Sequence, residues 1–165
     1  MQQAARISER IMQVAIDSIA VGVRQCDAAA AIQAAAAHGT EEYGGDHPAI
    51  VPLMPTGVGT SCPHITWIDE PFVSGAGTSI DIAGVRRRYH VPMTRTVFLG
   101  SPPERMTKTA DIVVEGIVAG LEAAKPGALA RDIHAAWTRV IARHGLFKGI
   151  ALRLFRGPQL PAGLG

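Results

Sequence analysis

The chain has 165 residues, 47% of them hydrophobic and 18% charged, with a formal net charge of +2. That length suffices for one domain with a core, and that composition excludes a disordered chain. So small a charge makes no electrostatic case for nucleic acid or an anionic membrane, and no apolar run approaches the ~20 residues of a membrane span. Two cysteines, Cys26 and Cys62, make no disulfide framework and read as reduced thiols. The first residues, with Arg6, Glu9 and Arg10, lack the pattern of a secretion signal. The expected compartment is the cytoplasm.

In chain order, Ile7, Ile11, Val14, Ala15 and Ile19 recur at helical spacing, which predicts a helix over 2–21 ended by Gly22. "DAAAAIQAAAAHG" predicts a second helix, with Asp27 as N-cap and Gly39 as its stop. Residues 40–77 are mostly loop, with "AIVPLM" expected as a short buried strand. Two strands follow near 78–86 and 89–99, and Pro92 is expected to weaken their pairing. "SPPERMTKTADIVVEGIVAGLEAAKPG" predicts a third helix between Pro102-Pro103 and Pro126-Gly127. A fourth carries Ile133, Trp137, Val140 and Ile141 on one face and stops at Gly145. Helices, strands, then helices give an α+β class with helices on a mainly antiparallel sheet.

Four places could carry chemistry. His64 in "SCPHITW" follows a Gly-rich loop and the stiff Pro63. An imidazole titrates near pH ~6.5, which suits general acid–base work, and the alternative is a surface or capping histidine. Asp81 lies between Ile80 and Ile82. If the isoleucines face the core, its carboxylate faces the other way, into solvent or towards a partner or metal. Arg86, Arg87 and Arg88 are successive, so they cannot share one face, and they read as a solvated hairpin tip. Arg95 lies within a strand and is expected to pair with a carboxylate of the protein or of a substrate. "TGVGTS" precedes neither a lysine nor a helix, so it is no phosphate loop.

Taken together, "PHITW", "SIDIAG", "RRRYHVPMTRTVFLGSPPERM" and the helix after them resemble the creatinase, aminopeptidase P and methionine aminopeptidase superfamily. The resemblance implies a pita-bread catalytic domain, of which residues 1–148 form the first part. It places His64 on the family's active-site loop histidine and Asp81 on its first metal aspartate. Pro92 falls where the second metal aspartate belongs, so a divalent metal site (Mn, Co or Zn) lacks one ligand. That points to the branch that hydrolyses C–N bonds of small molecules without metal. "EEYGGDHPAIVPLMPTG" and "AGVRRRYHVPMTRTVFLG" are most similar to ectoine hydrolases, cytoplasmic enzymes that open a cyclic amidine. The resemblance then implies proton transfer by His64, a substrate carboxylate held by Arg95, no cofactor, a small-molecule substrate and a homodimer. A metal-dependent Xaa-Pro aminopeptidase or dipeptidase is the alternative, and a non-catalytic remnant or interaction module is the third reading.

Residues 149–165, "GIALRLFRGPQLPAGLG", do not resemble the family. Codons permitted for them, with the first base removed, read "ESRSGYSVGPNYPPDWG", which resembles the ectoine hydrolase branch along its whole length. The expectation is that one extra base after the Lys148 codon puts 149–165 out of frame. The chain alone is then expected to be marginally stable and catalytically silent.

Overall fold

The apolar stripe of the first segment forms helix α1 (Gln2–Ser18), which buries Ala4, Ile7, Ser8, Ile11, Met12 and Ala15. The computed structural model describes residues 1–146, so the tail 149–165 lies outside the described residues. Two compact units divide at Ser101, and each is described by itself.

In the first unit, α1 packs on helix α2 (Gln25–His38) and on a hairpin of strands β1 (Gly77–Arg86) and β2 (Tyr89–Phe98). Ile7, Ile11 and Ile19 of α1, Ala28, Ala29 and Ile32 of α2, and Ile80 and Ile82 of β1 meet in one core with Met54 and Phe72. Helix α2 starts at Gln25, two residues before the expected cap, and ends at Gly39 with φ 68°. Asp27 sits in its first turn instead. It accepts two hydrogen bonds from Arg24, at 2.9 and 2.7 Å, and this guanidinium holds the carboxyl below its usual range.

The "AIVPLM" segment is not a strand. Ile50 and Val51 are exposed, and only Leu53 and Thr56 form isolated bridges to β1. Pro52 and Pro55 lack the N–H groups that a continuous ladder needs. Pro92 does not weaken the hairpin. Asp81 spends both backbone groups on Leu53, at 3.0 and 2.9 Å. By alternation, Ala83 and its partner Pro92 also form a pair that needs no N–H from Pro92 towards β1.

One contact fixes the seat of α1. The fully buried Ser8 hydroxyl accepts the Gly84 N–H at 2.9 Å and donates to the Val91 carbonyl at 2.6 Å. It therefore bridges both strands of the hairpin. Gly84 is required there, because a Cβ would lie 2.4 Å from the Ser8 nitrogen and 2.6 Å from the Ala4 oxygen.

The arginine triplet is only partly a solvated tip. Arg87 and Arg88 are exposed, but Arg86 lies 5.5 Å over the Tyr43 ring and donates to the Gly44 carbonyl at 3.0 Å. Arg87 and Arg88 form the two-residue turn with φ 51° and 67°, a conformation that suits Asn-Gly and strains other residues. Arg88→Gly is accordingly expected to stabilise the first unit by about 1 kcal/mol in urea unfolding. The Asp46 carboxylate that accepts the Arg88 N–H at 3.2 Å would keep its bond.

In the second unit, α3 (Glu104–Ala123) packs on α4 (Ala130–Arg143). Buried Gly116 and Gly120 let the helices approach, and a Cβ at Gly116 would lie 2.8 Å from the Trp137 ring. Glu115 bonds the His144 imidazole at 2.7 Å and the Arg143 guanidinium. Hydrogen bonding to His144, then the charge of Arg143, hold the Glu115 carboxyl below its ordinary 4.5. Such a group stabilises the fold above its unfolded value, and that contribution is lost as pH falls through the lower folded value. Glu115→Gln is expected to lower this helix pair's thermal stability slightly at neutral pH and to flatten its decline below pH 4.5, where the two proteins converge. None of the described helices is long and apolar enough to cross a membrane.

Candidate functional site

The hairpin register decides what shares a face with Asp81. Ile80 and Ile82 are 0% and 3% exposed towards the helices, so Asp81, half-buried, turns to the other face. Asp81 stands opposite Thr94, Ser79 opposite Thr96 and Ala83 opposite Pro92. Pro92 is thus a diagonal neighbour of Asp81 on one face, about 7–8 Å away in a ladder of this kind. The face offers one carboxylate, three hydroxyls and a proline ring. Among the described residues, no three His, Cys, Asp or Glu side chains come together to hold a metal ion.

His64 stands just beyond a 3₁₀ turn (Gly57–Ser61). The base of this loop is tied to β1 close to Asp81. Ser79 N–H donates to the Pro55 carbonyl at 3.0 Å, and the Thr56 and Thr78 hydroxyls lie 3.0 Å apart. His64 is exposed and has φ 60°, in the left-handed region. That conformation is strained for a residue with a Cβ, and such strain gathers at functional positions. The chain therefore presents an exposed imidazole on a loop whose base is tied to the Asp81 strand.

Arg95 does not join this face. It pairs with Ile80, on the side opposite Asp81, and its guanidinium donates to the Thr94 carbonyl at 2.8 Å. No carboxylate of the described residues reaches it within ion-pair distance, so within the chain its partner is a main-chain acceptor. Thr94, Thr96 and Ser79 were not singled out from sequence. Which residues face each other follows from the register that the two-residue turn at 87–88 sets.

This arrangement of helices and hairpin recurs in known proteins. Residues 1–165 match metallopeptidase family M24. The chain is 49% identical to an ectoine hydrolase of Halomonas elongata over 107 residues, 65% of this chain and 27% of that protein. It is 39% identical to an uncharacterized hydrolase/peptidase of Sinorhizobium fredii, over 90% of this chain and 38% of that one. The solved prolidase of Pyrococcus furiosus superposes with a TM-score of 0.77 at 27% identity, covering 87% of this chain and 42% of that one. The chain thus spans less than half the length of each of these proteins, and over that span it has part of the prolidase, pita-bread architecture. On sequence and fold, the chain belongs to metallopeptidase family M24.

Proposed function

We propose that the chain carries part of the site of a metal-independent hydrolase that opens a C–N bond of a small cyclic amidine of the ectoine class. The observation that carries this reading is Pro92 beside Asp81 on one sheet face. The divalent metal that the family name implies does not fit these residues. A shared metal pair needs bridging or paired carboxylates, and here Asp81 faces Thr94 and a proline ring without a donor atom. No step is therefore routed through a metal. Similarity to the Halomonas elongata ectoine hydrolase supports the substrate class.

In this reaction water adds to the amidine carbon and one ring C–N bond breaks. His64 accepts a proton from the water and returns it to the departing ring nitrogen, so the imidazole ends as it began. The Asp81 carboxylate, free of metal, accepts a hydrogen bond from a substrate N–H.

Residues 1–148 alone do not complete the site. In α3, Val114, Ile117, Val118 and Leu121 form an exposed apolar stripe at i, i+3, i+4 and i+7, which supports a need for further chain to cover it. On this reading residues 149–165 are out of frame, and removal of one base after the Lys148 codon gives a string that resembles the ectoine hydrolase branch. The test is hydrolysis of ectoine by the chain as it stands and by the frame-restored product. Turnover by the restored product alone is expected. Enzyme-like turnover of ectoine by the present chain, or Mn- or Co-stimulated cleavage of a prolyl dipeptide, would overturn the reading, the latter in favour of an Xaa-Pro dipeptidase.

A further inference from the structure

Helix α2, strand β1 and the loop 45–52 enclose a cleft of about 330 Å³, lined by neither His64 nor Asp81. Its shape follows from two ties. Asp46 N–H donates to the Val85 carbonyl at 2.9 Å, and Leu53 exchanges two bonds with Asp81. Between these points the loop leaves the edge of β1. By the two-residue period of the ladder, Ala83 turns its N–H and C=O to that same edge. No backbone hydrogen bond from the loop reaches either group among the described residues. Ile11, Ile32 and Ile82 make the floor and are 1%, 1% and 3% exposed. At the lip, Ile50 and Val51 are still 52% and 46% exposed.

The lip is held in place. His90 Nε2 accepts the Ala49 N–H at 3.1 Å, so Nδ1 carries the proton and donates to the Arg88 carbonyl, also at 3.1 Å. Asp46, the one carboxylate of the lining, already accepts the Arg88 N–H. The other polar side chains of the lining are His47 and Gln33, and the Gln33 amide donates to the Ala29 carbonyl at 3.4 Å. The floor is apolar, and at the edge of β1 Ala83 presents a backbone donor–acceptor couple that no backbone bond from the loop uses among the described residues.

We propose that this notch binds one secondary amide group of a small aliphatic ligand. The ligand carbonyl accepts the Ala83 N–H and the ligand N–H donates to the Ala83 carbonyl, as an added strand residue would. Its alkyl groups rest on Ile11, Ile32 and Ile82. His90 acts as a positioning residue that keeps the lip open at this width.

The test is a titration of the ¹⁵N-labelled chain with N-acetylalanine N-methylamide. Saturating shifts at the amides of Ala83, Ala49 and Val51 are expected. Ala37→Trp, on the exposed rim of α2, fills the mouth without touching the core and abolishes them. N-acetylproline dimethylamide, which has no N–H, binds at least about tenfold more weakly, the effect of one lost hydrogen bond. No saturation in the unaltered chain, shifts that persist in Ala37→Trp, or equal binding of the two probes would overturn the proposal.

Discussion

Gly84→Ala lowers the stability of the first unit by about 3 kcal/mol in urea unfolding, at the upper end of overpacking effects. The added Cβ would lie 2.4 Å from the Ser8 nitrogen and 2.6 Å from the Ala4 oxygen. Both are backbone atoms of α1, so no side-chain rotation relieves the clash and the helix itself must move off the hairpin. That motion separates Ile7 and Ile11 from Ile80 and Ile82 in the shared core. It also takes the Ser8 hydroxyl from the Gly84 N–H and the Val91 carbonyl. Ser8→Ala removes only the hydroxyl and leaves the buried Gly84 N–H without this acceptor, for about 1–3 kcal/mol. Gly44→Ala is the control: its nearest neighbour is the Ala37 oxygen at 3.7 Å, and a change within about 0.5 kcal/mol is expected. Equal effects at Gly84 and Gly44 would mean that α1 does not sit this tightly.

His64→Gly separates catalysis from folding. In the frame-restored protein it lowers kcat on ectoine by about 10²–10⁴-fold, the range for loss of a general acid–base group. The same change raises stability by about 1 kcal/mol, because glycine adopts a positive φ without strain, and His64 stands at φ 60° with an exposed side chain. His64→Ala keeps the strain and loses the imidazole, so it lowers kcat equally without the gain in stability. A structural histidine would behave otherwise, with stability falling and kcat retained in the molecules that remain folded.

How much of this was legible in the sequence varied with the physics of each element. The helices were readable because apolar spacing and glycine stops act locally, and Gly39, Gly127 and Gly145 all adopt positive φ. Asp27 misled because a helix can begin at a residue without a capping side chain when, as with Arg24, the preceding chain is held by a bridge to Pro71. Segment 49–54 misled because its apolar residues suggested a strand, while its prolines deny the ladder. Asp81 and its outward direction followed from the isoleucines on either side. Its relation to Pro92 needed the register, which depends on the turn at Arg87 and Arg88, and residues outside the glycine and asparagine set rarely announce such a turn. Arg95 could not be placed by composition at all. Only pairing with Ile80 shows that it lies on the other face. The Ser8 bridge and the His90 clamp join residues 83 and 41 positions apart, beyond the reach of any local pattern.

Under the proposed function, Pro92 beside Asp81 takes this member of family M24 out of metal chemistry. Ectoine turnover by the frame-restored protein, measured in EDTA and then with added Mn²⁺ or Co²⁺, tests it most directly. A rate unchanged by the chelator and by either metal is predicted. Activity abolished by EDTA and recovered with Mn²⁺ or Co²⁺ would contradict it.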